Sequence, residues 1–104
     1  MKMITVKSLL FEEILLPNEA TSLRIEVAAS DVIDCGVMDN DSYNLFVVAD
    51  SDRNIKKAKW FEQIKSKTFT FQPEGNYYWL ILSNVYSSKA VSVAYSITEE
   101  DSNE

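Results

Sequence analysis

A chain of 104 residues with 46% apolar and 25% charged side chains holds one globular domain around a single core, and composition excludes a disordered chain. Its 16 acidic residues outnumber 10 basic ones, for a net charge of −6. That excludes passive binding to a nucleic-acid backbone, because phosphate contact needs a basic surface.

The first segment, Ile4 to Phe11, alternates loosely and predicts a strand. Ile14-Leu15-Leu16 follows and is stopped by Pro17-Asn18, a turn signal. Leu23, Ile25 and Val27 alternate with Arg24 and Glu26, so a half-buried strand is expected over 23–28. Ser30-Asp31 breaks it. Ile33, Cys35 and Val37 then alternate with Asp34 and Gly36, which predicts an antiparallel partner over 32–38. Asp39-Asn40-Asp41-Ser42 reads as a turn or cap, since these side chains accept backbone N–H groups. Tyr43 to Ala49 fits a short helix or a strand equally.

Residues 53–67 differ in character. Ten acids and only three basic residues occupy positions 1–52, whereas Arg53, Lys56, Lys57, Lys59, Lys65 and Lys67 crowd this short stretch. Ile55, Ala58, Phe61 and Ile64 recur every three residues, so a connecting segment with some helix is expected. Phe69 and Phe71 between Thr68, Thr70 and Gln72 predict a strand over 68–72, and Pro73-Glu74-Gly75-Asn76 a turn. In Tyr77 to Leu82 every side chain is aromatic or branched aliphatic. One sheet face cannot take them all, so a central strand over 77–83 with both faces covered is expected. Asn84 to Lys89 holds another turn. Val91, Val93, Tyr95 and Ile97 share one face of a strand over 90–97. The pattern predicts an all-β fold: an antiparallel β-sandwich of seven to eight strands with at most one short helix, a domain over 1–98 and an acidic flexible tail over 99–104. Tyr78, Leu80, Leu82, Phe69, Phe71, Ile25 and Val27 are the expected core.

The order of elements resembles the small β-sandwiches grouped around the Golgi-dynamics (GOLD) domain and the bacterial pre-peptidase C-terminal domain. The matching residues are Leu23 to Val27, Val37-Met38-Asp39, Ser42-Tyr43-Asn44, Phe69-Thr70-Phe71, Gly75 to Leu80, Ser83-Asn84 and Val91 to Tyr95. They span about three quarters of the chain. The trafficking members carry a disulfide and a membrane helix, which this sequence lacks, so a cargo-receptor role does not transfer. The resemblance implies a jelly-roll or GOLD-like binding or accessory sandwich without catalytic residues of its own.

Chemistry is sparse. The absence of histidine removes Ser-His-Asp and Cys-His catalysis and the commonest nitrogen ligand of zinc. Two glycines, Gly36 and Gly75, cannot make a phosphate loop or dinucleotide fingerprint. Read as calcium loops, the stretches from Asp39 and from Asp50 fail at the sixth position, where Asn44 and Ile55 replace the required glycine. Neighbouring carboxylates such as Glu12-Glu13 point to opposite strand faces and cannot converge on one cleft. Cys35 lies in an apolar strand pattern with no evident base, and a lone cysteine permits no intrachain disulfide. No cofactor or metal is expected. With no membrane-spanning run and no signal-peptide pattern, the expectation is cytoplasmic, with neither membrane nor nucleic acid as partner.

The expectation is therefore a non-enzymatic protein-interaction module with an unidentified protein partner. The candidate contact residues are Lys56, Lys57, Lys59, Trp60 and Phe61, aromatic anchors ringed by positive charge. Two alternatives stand beside it. One is a small acidic inhibitor or decoy of phage or defence type, whose carboxylates would occupy a basic surface. The other is a carbohydrate-binding module stacking sugars on exposed rings, with Trp60 and Tyr86 as the expected surface aromatics.

Overall fold

The computed structural model of the protein describes residues 1–19, 22–47, 57–73 and 75–100. Among the described residues there are six strands, β1 (Lys2–Val6), β2 (Phe11–Leu15), β3 (Ser22–Asp39), β4 (Lys57–Phe71), β5 (Tyr78–Ser83) and β6 (Val91–Glu100), and one helix, α1 (Asn40–Val47). All strand pairs are antiparallel, in the order β1-β6-β3-β5-β2 with β4 on the other side of β3. The sheet is continuous and curls into a half-barrel.

The registers show how it curls. The first half of β3 (22–29) pairs with β6 and the second half (34–39) with β5, so β5 and β6 lie end to end along one edge of β3. Beyond them β1 and β2 also lie end to end, on β6 and β5 respectively. Four long lines of chain therefore run side by side. Each is interrupted at the same height: at 7–10, at 84–90, in the register shift of β3 between Ala28 and Ile33, and in β4 near Gln63. Bends aligned in this way let a sheet fold across itself. The two non-glycine residues with positive φ among the described residues, Leu9 (62°) and Gln63 (55°), both lie on that line. Phe71 and Tyr78, far from the line in different halves, meet edge to face at 4.6 Å.

One core fills the fold. Val6, Leu23, Ile25, Val27, Phe69, Phe71, Val91 and Val93 from one half join Leu16, Ile33, Cys35, Val37, Leu80 and Leu82 from the other. β5 is covered on both faces, as its sequence requires: Leu80 and Leu82 face this core, and Ile81, on the opposite face, is equally inaccessible. Tyr78 differs from expectation in being half-buried, because it sits at the outer end of β5 where the halves open.

Several sequence expectations need correction. Residues 23–28 and 32–38 are one bent strand and do not form a hairpin. At the bend Asp31 Oδ1 accepts the Val32 N–H at 2.7 Å and Ser30 Oγ accepts the Ser92 N–H at 3.0 Å, so side chains satisfy backbone groups that the ladder leaves free. Residues 57–67 are strand, not helix. Phe61 opposes Cys35 and Ile64 opposes Ile33, so β4 spends three residues where β3 spends two. That bulge turns a period of two into a spacing of three and imitates a helical stripe. The segment 4–11 is two strands with a corner between them, and 43–47 resolves as helix, capped by Asp39 Oδ1 accepting the Ser42 N–H at 2.7 Å. Glu99 and Glu100 belong to β6; 101–104 lie outside the described residues.

Candidate functional site

The structure divides the sequence's candidate contact residues. Lys56 lies outside the described residues, and Lys57 opens β4. Lys59 and Phe61 oppose Val37 and Cys35 on the core-facing side of the sheet. Lys59 is exposed, while Phe61 leans inward against Phe69 at 4.9 Å, with the Lys67 ammonium 4.6 Å above its ring. Trp60 points to the other face, where its ring occupies the space beside Gly36. Among the described residues, Trp60 and Phe61 therefore lie on opposite faces and do not share one surface. Lys59, Lys65 and Lys67 lie on a strand that, among the described residues, pairs with β3 alone, where positive charge discourages edge-to-edge pairing.

A different surface emerges at the corner of the fold. Two loops, 7–10 and 84–90, meet there. Leu9 N–H donates to the Asn84 carbonyl at 2.8 Å, Asn84 N–H to the Leu10 carbonyl at 3.0 Å, and Ser8 Oγ to the Ser87 carbonyl at 2.8 Å. The fully buried Asn84 side chain completes the tie. Its Nδ2 donates to the carbonyls of Val6 (3.0 Å) and Lys89 (2.9 Å), and its Oδ1 accepts the Ser87 N–H. On this fixed backbone four large apolar side chains face solvent: Leu9 (76% exposed), Leu10 (53%), Val85 (47%) and Tyr86 (44%). Leu9 holds a positive φ that a bulky side chain disfavours. Neither loop contains an acid, whereas both contain a lysine, Lys7 and Lys89. Leu9 and Leu10 lie between β1 and β2 and are not the strand that the alternation over 4–11 predicts. The available signal was Lys7-Ser8, which interrupts the apolar alternation of Ile4 and Val6.

Behind the corner, the Tyr86 hydroxyl donates to Asp34 Oδ1 at 2.6 Å, and the Gln63 N–H donates to the same oxygen at 3.0 Å. The bond to Asp34 pushes the Tyr86 phenol up to about 12, with burial adding to it. Asp34 thereby fixes both the β4 bend and the corner. Cys35 is inaccessible, and burial followed by the Asp34 charge pushes its thiol up to about 11, the reverse of an activated nucleophile.

A hollow of about 370 Å³ is lined by Asp39, Asn40, Asp41, Asn76, Tyr77 and Tyr78. Trp79 Nε1 donates to Asn40 Oδ1 at 3.0 Å, and Tyr43 stacks on Trp79 at 4.7 Å. Tyr77, 60% exposed, is a surface ring that the sequence reading had assigned to the central strand. Asp39 is engaged in capping α1, and Asp50 and Asp52 lie outside the described residues. Among the described residues no group of three acids or cysteines is placed to hold a metal ion, and no helix is long and apolar enough to cross a membrane.

No known family model matches the chain, and no curated protein is significantly similar to it.

Proposed function

We propose that the protein is a non-enzymatic interaction module that docks a protein partner through its corner. The observation that supports this reading is the set of four exposed apolar side chains carried by two loops whose backbones Asn84 ties together. Apolar side chains gathered in this way on a preorganised backbone are what a protein interface uses, because little conformational entropy remains to be lost on binding. The lysines that flank the loops favour a partner surface with an acidic rim. The finer description of the fold, a jelly-roll or GOLD-like sandwich, belongs to this proposal. The single core shared by the two halves of the folded sheet supports it.

The test begins with capture from the native host and identification by mass spectrometry, followed by measurement of the binary affinity. Leu10→Ser and Val85→Ser should leave the melting midpoint near wild type and weaken binding at least tenfold, the loss expected for hot-spot truncation. Charge reversal at Lys59 should change affinity little. Full affinity in both serine variants would place the interface elsewhere.

A second reading, carbohydrate binding, is favoured by one observation. The exposed Tyr77 ring stands beside Asn40, Asp41 and Asn76 in the 370 Å³ hollow, an aromatic platform next to planar polar groups. Saccharide titrations followed at the Tyr77 resonance distinguish it from docking at the corner.

A further inference from the structure

At the end of the fold away from the corner line, the outer strands of the two halves stand apart and leave an open cleft of about 480 Å³. The start of β1, the end of β2 and the middle of β6 line it, with Lys2, Ile14, Leu15, Pro17, Tyr95 and Ile97 as its main walls. Ile14, Tyr95 and Ile97 also pack against the main core, so the cleft is a solvent-accessible extension of that core. Its volume falls in the range of small-molecule sites, which are mostly apolar with a few placed polar groups.

We propose that this cleft binds an amphipathic monocarboxylate, an alkyl chain bearing one anionic head. Two observations fix the ligand class. The walls are mostly aliphatic and aromatic, with Lys2 and Ser96 as polar groups among them, which suits a hydrocarbon chain that carries one polar head. The charge at the mouth is positive. Lys2 opposes Tyr95, and by strand alternation it shares a face with Ile4 and Val6, which oppose Val93 and Val91 of the core. A lysine thus occupies a core-facing position just where the cleft opens. No acid lines the cleft, in a chain where acids outnumber basic residues 16 to 10. A carboxylate at the mouth would meet the ammonium while its chain runs along Ile14, Tyr95 and Ile97. A cationic amphiphile would meet only repulsion there. This site shares no residue with the corner, so its failure and the failure of the docking reading are separately observable.

The experiment uses the full chain and three probes below their micelle concentrations: decanoate, decanol and decyltrimethylammonium. Binding is followed by two-dimensional NMR. Decanoate should give saturable shifts at Ile14, Leu15, Tyr95 and Ile97, with affinity about three- to fivefold above decanol, the size of a solvent-facing ion pair. The cationic probe should bind more weakly than either. Lys2→Gln should abolish the preference of carboxylate over alcohol while keeping alkyl binding. Ile14→Ala, which shortens a wall residue on the core-facing side of β2, should weaken decanoate binding severalfold and leave the carboxylate preference in place. The assignment is overturned by any of three results: no saturable shift in these residues, equal shifts at Leu9, Leu10 and Val85, or an unchanged carboxylate preference in Lys2→Gln.

Discussion

The indole of Trp60 fills the place that a side chain at position 36 would take. The two residues oppose each other across β3 and β4, and a Cβ on Gly36 would overlap both the Trp60 ring and the Lys59 carbonyl. Glycine in a strand interior weakens the strand unless something packs closely over it, and here a tryptophan does. Trp60 is therefore part of the structure of the sheet. Trp60→Ala should cost roughly 3 kcal/mol, near the low end for deleting a large aromatic because the ring is only half-buried. Gly36→Ala should cost about 1–3 kcal/mol or more through overpacking. Denaturant unfolding checks both. A Trp60→Ala protein as stable as wild type would return this residue to the surface-anchor role that its sequence context suggests.

The corner separates stability from binding. Asn84→Ala removes two donors from the carbonyls of Val6 and Lys89 and one acceptor from Ser87, at a side chain that is itself fully buried. It should cost about 2–4 kcal/mol, since a buried carbonyl left unpaired loses more than a solvated one. Leu9→Gly should do the opposite. It relieves a positive φ at a residue whose side chain is three-quarters exposed, so the melting midpoint should hold or rise. The same substitution removes the most exposed apolar side chain of the proposed interface and should weaken partner binding. A glycine variant that is clearly destabilised would show that Leu9 packs on the fold.

Leu80 and Ile81 measure the two faces of β5. Both are inaccessible, Leu80 in the shared core and Ile81 on the opposite face. Leu80→Ala and Ile81→Ala should each cost about 2–5 kcal/mol. An Ile81→Ala protein near wild-type stability would mean that the outer face of β5 is only loosely covered.

What could be read from sequence, and what could not, follows from geometry. Alternation located β5, β6, the end of β4 and both halves of β3, and the core drawn from Ile25, Val27, Phe69, Phe71, Leu80 and Leu82 is buried as expected. Most departures lie on the fold line, apart from Tyr77, Tyr78 and the end of β6. Ser30-Asp31 resembles a turn, yet its side chains bond the backbone of a strand that continues. The Gln63 bulge rewrites the period of β4. The resulting strand geometry sends Trp60 and Phe61 to opposite faces, which no composition argument reveals. Leu9, Leu10, Val85 and Tyr86 lie more than 70 residues apart in pairs and come together through Asn84 and the Ser8–Ser87 bond. The polar role of Asp34, set between apolar neighbours, was equally hidden.

Asp34 also gives the fold a pH response. The folded protein holds the Tyr86 phenol up to about 12, chiefly by its bond to Asp34, and the Cys35 thiol up to about 11, chiefly by burial with the Asp34 charge second. Both groups are neutral when protonated, and both folded values lie above the ordinary ones of 10.0 and 9.0. The folded state therefore binds more protons than the unfolded state through this window, and stability falls as pH rises. Their contribution is complete below about pH 9, the thiol's share is lost between about 9 and 11, and the phenol's between about 10 and 12. The slope of the urea midpoint against pH isolates each group, because the other tyrosines and the lysines contribute equally in all variants. Tyr86→Phe should be less stable than wild type at pH 7, having lost the bond to Asp34, and should show a shallower decline above pH 10. Cys35→Ala should lower the midpoint everywhere and flatten the decline that begins near pH 9. Parallel curves for wild type and Tyr86→Phe above pH 10 would mean that the phenol does not hold its proton against Asp34 in the folded state.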